Sequence, residues 1–221
     1  MAYVLAKSLA VCRGLDIDHL SELYLRWWRE DGFDAGPVFN EVMSLLDQGE
    51  NRQEAPKRVD RIFHGLTAGC NPAHRIAPLG LIPDIPIKAL PELAIKEAQI
   101  THLHPLAADV SAAVVVLIRT LVDGLEYEEA KEMAANGRLK ETREALLSPD
   151  SRPIMKCGYS PEVLRAAMHF VNQNSDMEKA LAESILFAGN SNYCPVLVGV
   201  ICGSLVVRKQ EKIGLMDVGV Y

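Results

Sequence analysis

The sequence has no surplus of positive charge and lacks an apolar run long enough to cross a membrane. Its 221 residues include 23 Lys and Arg against 29 Asp and Glu, a formal net charge of −6. A nucleic-acid backbone requires a basic face, so this balance argues against nucleic-acid binding. The most apolar runs, residues 194–207 and 107–122, fall short of the ~20 residues that a spanning helix needs. We therefore predict two buried helices and no membrane span.

The cysteines also lack any paired spacing. Their number is odd, and none of them forms a Cys-x-x-Cys motif; they are Cys12, Cys70, Cys157, Cys194 and Cys202. The chain begins without the positively charged segment that precedes the apolar part of a secretory signal. We expect free thiols and an intracellular, reducing compartment, either cytoplasmic or organellar.

Aromatic residues and strand signals are sparse, and a helical pattern takes their place. Aromatics make up 6% of the chain, hydrophobic residues 49% and charged residues 24%. This composition supports a packed globule rather than disorder. Apolar residues recur at three- and four-residue steps, as in Leu20, Leu23, Tyr24 and Trp27. The pattern predicts an all-α bundle of roughly nine or ten helices, with one domain over residues 1–208 and a C-terminal tail over residues 209–221.

Several residues mark the beginnings of predicted helices. Asp16 or Asp18 suits the cap of one helix, and Pro37 suits the first turn of another. Ser160 precedes Pro161 and is therefore predicted to be a hydroxyl N-cap. Ser175 begins a capping-box pattern with a Glu three residues later.

Three segments at predicted helix junctions are candidates for a binding site. Backbone N–H groups at such junctions are free to bind anions or polar ligands. The first segment lies within residues 65–86, a stretch too rich in Gly and Pro for one continuous helix. The segments are residues 69–79, 100–105 and 188–193.

These segments resemble motifs of the ADP-ribosylglycohydrolase family, which includes the dinitrogenase-reductase-activating glycohydrolases and the J1 crystallins. Residues 75–79 (Arg-Ile-Ala-Pro-Leu) are similar to the end of that family's Gly-Asn-Gly…Met-Arg-Ile-Ala-Pro-Leu motif. Thr101-His102 resembles its Thr-His segment, and Gly158-Tyr159 resembles its Gly-Tyr helix start. The resemblance implies the compact, orthogonal multi-helix bundle of that family.

The resemblance also implies the positions of a ligand site. We expect contacts to an ADP-ribose-like ligand from the residues at the matching family positions, without assigning a catalytic residue. They are Gly69, Asn71, His74, Arg75, Thr101, His102, Asn190 and Asn192.

The chain departs from the family at the metal site. Active members hold two magnesium ions through a Thr-Asp-Asp run near the front and an Asp-x-Asp-Thr run near the end. The late run here reads Asn190-Ser191-Asn192-Tyr193, and the front run is absent. Asparagine carries no charge, whereas two close divalent cations require several carboxylates. We therefore expect no metal and no cofactor.

The leading hypothesis is a non-catalytic family member that acts as a structural, assembly or binding subunit. One alternative is a Mg²⁺-dependent ADP-ribosyl glycohydrolase that retains its activity or borrows ligands from a partner chain. A second alternative is an ADP-ribose- or nucleotide-binding module without catalysis. In the family, further helices come before the segment that resembles residues 1–12. Without those helices, residues 1–12 would present an apolar face, which we expect a protein partner or a second copy to cover.

Simpler roles compete with these assignments. His74 stands beside Arg75 and suits a structural hydrogen bond. His102 and His104 are two residues apart, a spacing that does not favour one chelate site. Thr101 or His102 is predicted to cap the helix that follows, and the asparagines suit tight loops.

Overall fold

A computed structural model describes residues 1–174, 176–189 and 193–217, with side chains described up to residue 207. Within these ranges the chain contains thirteen α-helices, two short 3₁₀ helices and no strand, which confirms the all-α prediction. The helices are α1 (Ala2–Cys12), α2 (Ile17–Glu30), α3 (Pro37–Asp47), α4 (Ala55–Ile62), α5 (Asn71–Arg75), α6 (Ala77–Gly80), α7 (Leu90–Ala98), α8 (Pro105–Val122), α9 (Tyr127–Ala135), α10 (Lys140–Leu147), α11 (Ser160–Gln173), α12 (Met177–Ala188) and α13 (Tyr193–Asp217). The 3₁₀ helices are Ile87–Ala89 and Pro149–Ser151.

The helix count exceeds the predicted nine or ten. The segment 65–86 accounts for two of the additional helices, since it contains the short α5 and α6. Both begin with proline in the first turn, where the missing backbone N–H costs no hydrogen bond. α13 continues to Asp217, and the predicted domain boundary at residue 208 stays a prediction.

α8 is the central helix of the core. It packs against α5, α6, α7, α9, α11 and α13. By length and mean hydropathy (1.8) it is the one helix in the described part of the chain that would suit a membrane span. Because 89% of its residues are buried inside the protein, its apolar character is also that of a core helix, as the sequence predicts.

A buried cation on α8 holds the loop that follows α6. The Arg119 guanidinium donates to the carbonyl oxygens of Gly80 (2.6 Å) and Ile85 (3.1 Å), and also to that of Ile82. No carboxylate contacts this guanidinium among the described residues, so the carbonyl dipoles alone replace its lost hydration. These three hydrogen bonds explain how a charged residue, Arg119, is accommodated in the core helix.

Two of the predicted helix caps are confirmed. The Asp16 side chain caps α2, where it accepts a hydrogen bond from the backbone N–H of His19 (2.9 Å). Pro37 is the first residue of α3. At α12 the capping side chain is that of Asp176, and Ser175 lies outside the described residues.

Two other predicted caps are wrong. Ser160 is the first residue inside α11, and Tyr159 precedes the helix without a side-chain cap. The reason is tertiary, because the Ser160 N–H donates to the Ala68 carbonyl (2.9 Å) beside an antiparallel bridge between Gly69 and Tyr159. At α8 the cap is His104, whose Nδ1 accepts from the Leu106 N–H (3.1 Å), rather than Thr101 or His102.

We predict that Arg119→Met lowers the free energy of unfolding by at least about 2 kcal/mol, because buried carbonyls lose a charged donor. Urea denaturation followed by circular dichroism measures the change. The matched control is Arg143→Met, which replaces an exposed arginine on α10 and is expected to change stability by less than about 0.5 kcal/mol. Equal effects of the two substitutions would contradict this role of Arg119.

Candidate functional site

The three segments singled out in the sequence meet at one cavity of about 520 Å³. The first segment contributes Gly69, Asn71 and His74 to the lining, the second His102 and His104, and the third Tyr193. The bridge between Gly69 and Tyr159 joins the first segment to the start of α11 and brings Tyr159 to the same wall.

Four helices begin at the wall of this cavity. Gly36 precedes α3, His104 caps α8, Tyr159 precedes α11, and Tyr193 is the first residue of α13. The first turn of a helix has unpaired backbone N–H groups and a partial positive charge. The cavity wall therefore has a partial positive charge at these helix starts, although its described lining residues include no Lys or Arg.

Formal charge is scarce among the side chains of the lining. Asp34 is the one carboxylate among the described lining residues, which include no Lys or Arg. Burial, with a contribution from Arg75, lowers the pKa of His102 to about 3. Burial lowers the pKa of His74 to about 4, partly offset by the backbone of Tyr193. Both imidazoles are therefore neutral at pH 7.

Cys70 also lines the cavity. Burial raises the pKa of its thiol to about 12, so the thiol is protonated at neutral pH and is a poor nucleophile.

Two ring nitrogens in this lining have unused hydrogen-bonding capacity. The Nε2 atoms of His74 and His102 are buried without a hydrogen-bond partner in the described part of the chain. Buried polar atoms are nearly always paired with protein, water or ligand. These two nitrogens are therefore the unsatisfied polar side-chain atoms that the described part of the cavity wall contains.

Asn71 divides its amide between structure and cavity. Its Nδ2 donates to the Ala35 carbonyl at 2.8 Å. Its Oδ1 lies 3.2 Å from the position that a Cβ would occupy on Gly36. The sequence predicts that Asn71 hydrogen-bonds backbone groups of a tight loop, and this hydrogen bond uses only the NH₂ donor of its amide.

Arg75 and Thr101 lie behind the cavity, although the sequence places them among the ligand-binding residues. The Arg75 side chain is 1% exposed and its Nε forms a 2.6 Å ion pair with the fully buried Glu97. The guanidinium lies over the Tyr24 ring, 4.9 Å from its centroid. The Tyr24 hydroxyl donates to the same Glu97 oxygen at 2.8 Å.

A chain of hydrogen bonds connects this ion pair to the cavity. Arg75 Nη2 donates to Thr101 Oγ1 at 3.0 Å, and Thr101 Oγ1 lies 2.8 Å from Nδ1 of His102. Ligand binding by all the proposed residues stays a prediction, but the structure separates those at the wall from those that hold the wall in place.

Some residues at the site were missed in the sequence. Glu97 and Tyr24 belong to amphipathic helices whose pattern does not distinguish a buried polar partner from a surface one. Tyr159 stands in the Gly-Tyr motif, which was a signal available for it. Asn190 and Asn192 lie outside the described residues, and Tyr193 lines the cavity.

The metal-binding capacity of the described residues is low. In residues 1–174, 176–189 and 193–217, no three His, Cys, Asp or Glu side chains lie close enough together to hold a metal ion.

The fold and the cavity define an all-α protein with a ligand-sized site at converging helix N-termini. The sequence model of the ADP-ribosylglycohydrolase family matches residues 1–207, and this chain belongs to that family. The resemblance seen in the motifs is thereby confirmed.

Two relatives of the chain are informative. The ADP-ribosyl-[dinitrogen reductase] glycohydrolase of Rhodospirillum rubrum is 22% identical over 205 residues, which cover 92% of this chain and 66% of that protein. This chain thus spans slightly less than two thirds of the length of that relative. A solved structure of an ADP-ribosylglycohydrolase-related protein complex matches with a TM-score of 0.70 and 22% identity, over 92% of this chain and 68% of the other. That likeness supports the fold.

We predict that the free energy of unfolding falls as the pH drops below about 6.5. The pKa of His102 is lower in the folded protein than in the unfolded chain, so the unfolded chain binds more protons in acid. The contribution of His102 is complete above pH 6.5 and is lost toward pH 3, with a slope approaching about 1.4 kcal/mol per pH unit.

Urea denaturation at pH 7, 6 and 5 measures this slope, and His102→Gln is the matched variant. The slope of the variant should be shallower by the contribution of one histidine. Parallel curves for the two proteins would contradict the buried, neutral state of His102.

Proposed function

We propose that this chain binds an ADP-ribose-like ligand in the cavity without metal-dependent hydrolysis, as a binding, structural or assembly subunit. The observation that carries the proposal is the cavity itself. Four helices begin at the wall of a space with one carboxylate among its described lining residues, and the wall contains two buried imidazole nitrogens without a hydrogen-bond partner among the described residues.

The character of the wall suits a ligand that combines a phosphate group with hydroxyls. Helix N-termini bind phosphate through free N–H groups and their partial positive charge. The wall also has neutral hydrogen-bonding side chains, those of His74, His102 and Asn71. Ribose hydroxyls both donate hydrogen bonds to such groups and accept hydrogen bonds from them. The volume of about 520 Å³ lies within the range of small-molecule sites.

The donor set does not fit a pair of magnesium ions. Magnesium takes oxygen ligands and is usually bound through carboxylates, and two neighbouring ions repel each other. Asp34 is the one described carboxylate at the cavity, and residues 190–193 (Asn-Ser-Asn-Tyr) contain none. Asp34 itself stands at a left-handed backbone position (φ 48°) in the loop before α3.

The alternative is a Mg²⁺-dependent ADP-ribosyl glycohydrolase, and the family itself favours it. The Rhodospirillum rubrum relative is named as a glycohydrolase. This alternative requires additional carboxylates from residues outside the described part of the chain or from a partner chain.

Isothermal calorimetry with ADP-ribose, with and without Mg²⁺, tests the proposal. We expect binding of equal affinity in both conditions, because no described group of carboxylates couples the ligand to a cation. The comparison variant is Asn190→Asp/Asn192→Asp, which restores two acidic positions of the family motif and is expected to make the heat depend on Mg²⁺.

Two results would contradict the proposal in different ways. Absence of heat in every condition excludes both the binding module and the hydrolase. Mg²⁺-dependent release of ADP-ribose from an ADP-ribosylated protein by the unaltered chain supports the hydrolase instead.

We also propose that a second copy or a protein partner covers the outer face of α1. Leu5 and Leu9 of this helix are buried, whereas Tyr3 is 70% exposed and Val11 is 72% exposed. Two large apolar side chains exposed on one short helix favour a contact surface there.

Light scattering at micromolar concentration tests for self-association, and we expect a mass above that of one chain. Tyr3→Lys/Val11→Lys should shift the mass toward that of the monomer, because charges would be buried in the contact. Leu186→Lys, at an 80% exposed site on α12, is the control and should leave the mass unchanged. A monomer at all concentrations would leave only a different protein as the partner.

A further inference from the structure

We infer that Asn136 is a modification site, at which the backbone nitrogen of Gly137 displaces the side-chain amide as ammonia and water then yields aspartate or isoaspartate. The site lies in the turn between α9 and α10, and it is independent of the cavity and of the proposed function. Its chemistry needs only the folded chain and water.

The attacking nitrogen belongs to the most accessible kind of residue. Asn136-Gly137 is the one Asn-Gly pair in the sequence, because every other asparagine precedes a residue with a side chain. A side chain on the following residue would shield its backbone nitrogen and restrict its backbone, whereas glycine does neither. Both Asn136 and Gly137 are exposed to solvent, so water reaches the pair.

The pair stands at the centre of a type II turn. The Arg138 N–H donates to the Ala135 carbonyl at 3.2 Å, Asn136 has φ −64° and ψ 126°, and Gly137 has φ 71°. A type I turn has the same ends and differs by rotation of the central peptide group, with ψ of the first central residue at about −30°. Only glycine follows this rotation freely, since its own φ changes sign.

This rotation passes through the reactive geometry. When ψ of Asn136 moves from 126° through the fully extended value toward that of a type I turn, the Gly137 nitrogen comes to eclipse Cβ of Asn136. In that conformation the nitrogen and Cγ are placed as in a five-membered ring. The turn therefore approaches the reactive geometry by moving one peptide group, while its ends stay in place.

Little holds that peptide group in its present orientation. The Gly137 N–H and the side-chain amide of Asn136 have no hydrogen-bond partner among the described residues. The Asn136 carbonyl accepts one long bond, from Nε of Arg138 at 3.5 Å. The bond between Arg138 and Ala135 is common to both turn types, so the rotation does not break it.

The reaction balances with one water consumed and one ammonia released. The Gly137 nitrogen bonds to Asn136 Cγ, the Cγ–Nδ2 bond breaks, and Nδ2 leaves with the proton of the Gly137 nitrogen. Water then opens the imide ring at either carbonyl. Opening at one carbonyl gives aspartate, and opening at the other gives isoaspartate, whose backbone runs through the former side chain.

The product changes the end of α9. A carboxylate at position 136 lies beside the helix C-terminus, where unpaired carbonyls already carry a partial negative charge. Isoaspartate also lengthens the backbone by one carbon just before Leu139, whose N–H anchors the turn to Asp109 of α8 at 2.9 Å. We therefore expect the isoaspartate form to unfold at a lower denaturant concentration than the unmodified chain.

Incubation of the full chain at neutral pH and physiological temperature, followed by peptide mass spectrometry, tests the site. We expect residue 136 to convert roughly tenfold faster than any other asparagine, because glycine alone leaves the attacking nitrogen unshielded. Labelling by an isoaspartate-specific methyltransferase should locate isoaspartate at the same position. Faster conversion at another asparagine, or aspartate without isoaspartate at position 136, overturns the inference.

The unfolded chain separates the effect of the turn from that of the dipeptide. The rate in the folded chain should lie within about tenfold of the rate in guanidinium chloride, because the turn allows the rotation. Complete protection of Asn136 in the folded chain overturns the role of the turn.

Asn136→Gln is the matched variant. It keeps an exposed amide at position 136 but would have to form a six-membered ring, so conversion there should be absent over the same period. Conversion at position 136 of this variant at the rate of the unaltered chain overturns the attack by Gly137.

Discussion

The buried ion pair between Arg75 and Glu97 is the interaction on which the site depends. Both side chains are withdrawn from water, so their mutual attraction and their hydrogen bonds must offset a desolvation cost of several kcal/mol per ion. The pair joins α5 to α7, and Tyr24 adds α2 to the same contact. Removing one partner leaves the other charge buried and uncompensated, which typically costs about 3–5 kcal/mol. The cavity wall formed by α5 is therefore positioned by a charge that the ligand does not need to touch.

The cavity wall and the residues behind it differ in charge. Behind the wall, full charges are paired at short distance in the interior. At the wall, the described polar groups are mostly uncharged, with helix N-termini, the neutral imidazoles of His74 and His102 and an amide beside the single carboxylate of Asp34. Neutral groups are less costly to desolvate than ions, so a ligand displaces water from this wall at a smaller energetic penalty. Arg119, in the last turn of α8, follows a related principle, since its charge is met by carbonyl dipoles.

The sequence predicts those features of the fold that depend on local chemistry. The apolar run of α8, the Asp16 cap and the proline at the start of α3 follow from periodicity and capping. The convergence of the loop segments was available only through the resemblance of their motifs to one family. Ser160 departs from expectation because its distant contact with Ala68 helps to decide where α11 begins, whereas the His104 cap of α8 is a local contact with Leu106. Glu97 was beyond prediction, since a glutamate on an amphipathic helix is usually a surface residue.

The cavity draws its walls from both halves of the chain, from residues 34–104 and from residues 158–196. All of α8, α9 and α10 separate these two stretches in sequence. During synthesis from the N-terminus, the first stretch therefore leaves the ribosome long before its counterpart, and the pocket does not exist in the nascent chain. Any small molecule that binds it recognises only the finished fold, so its binding energy adds to the global stability of the protein rather than to that of one part.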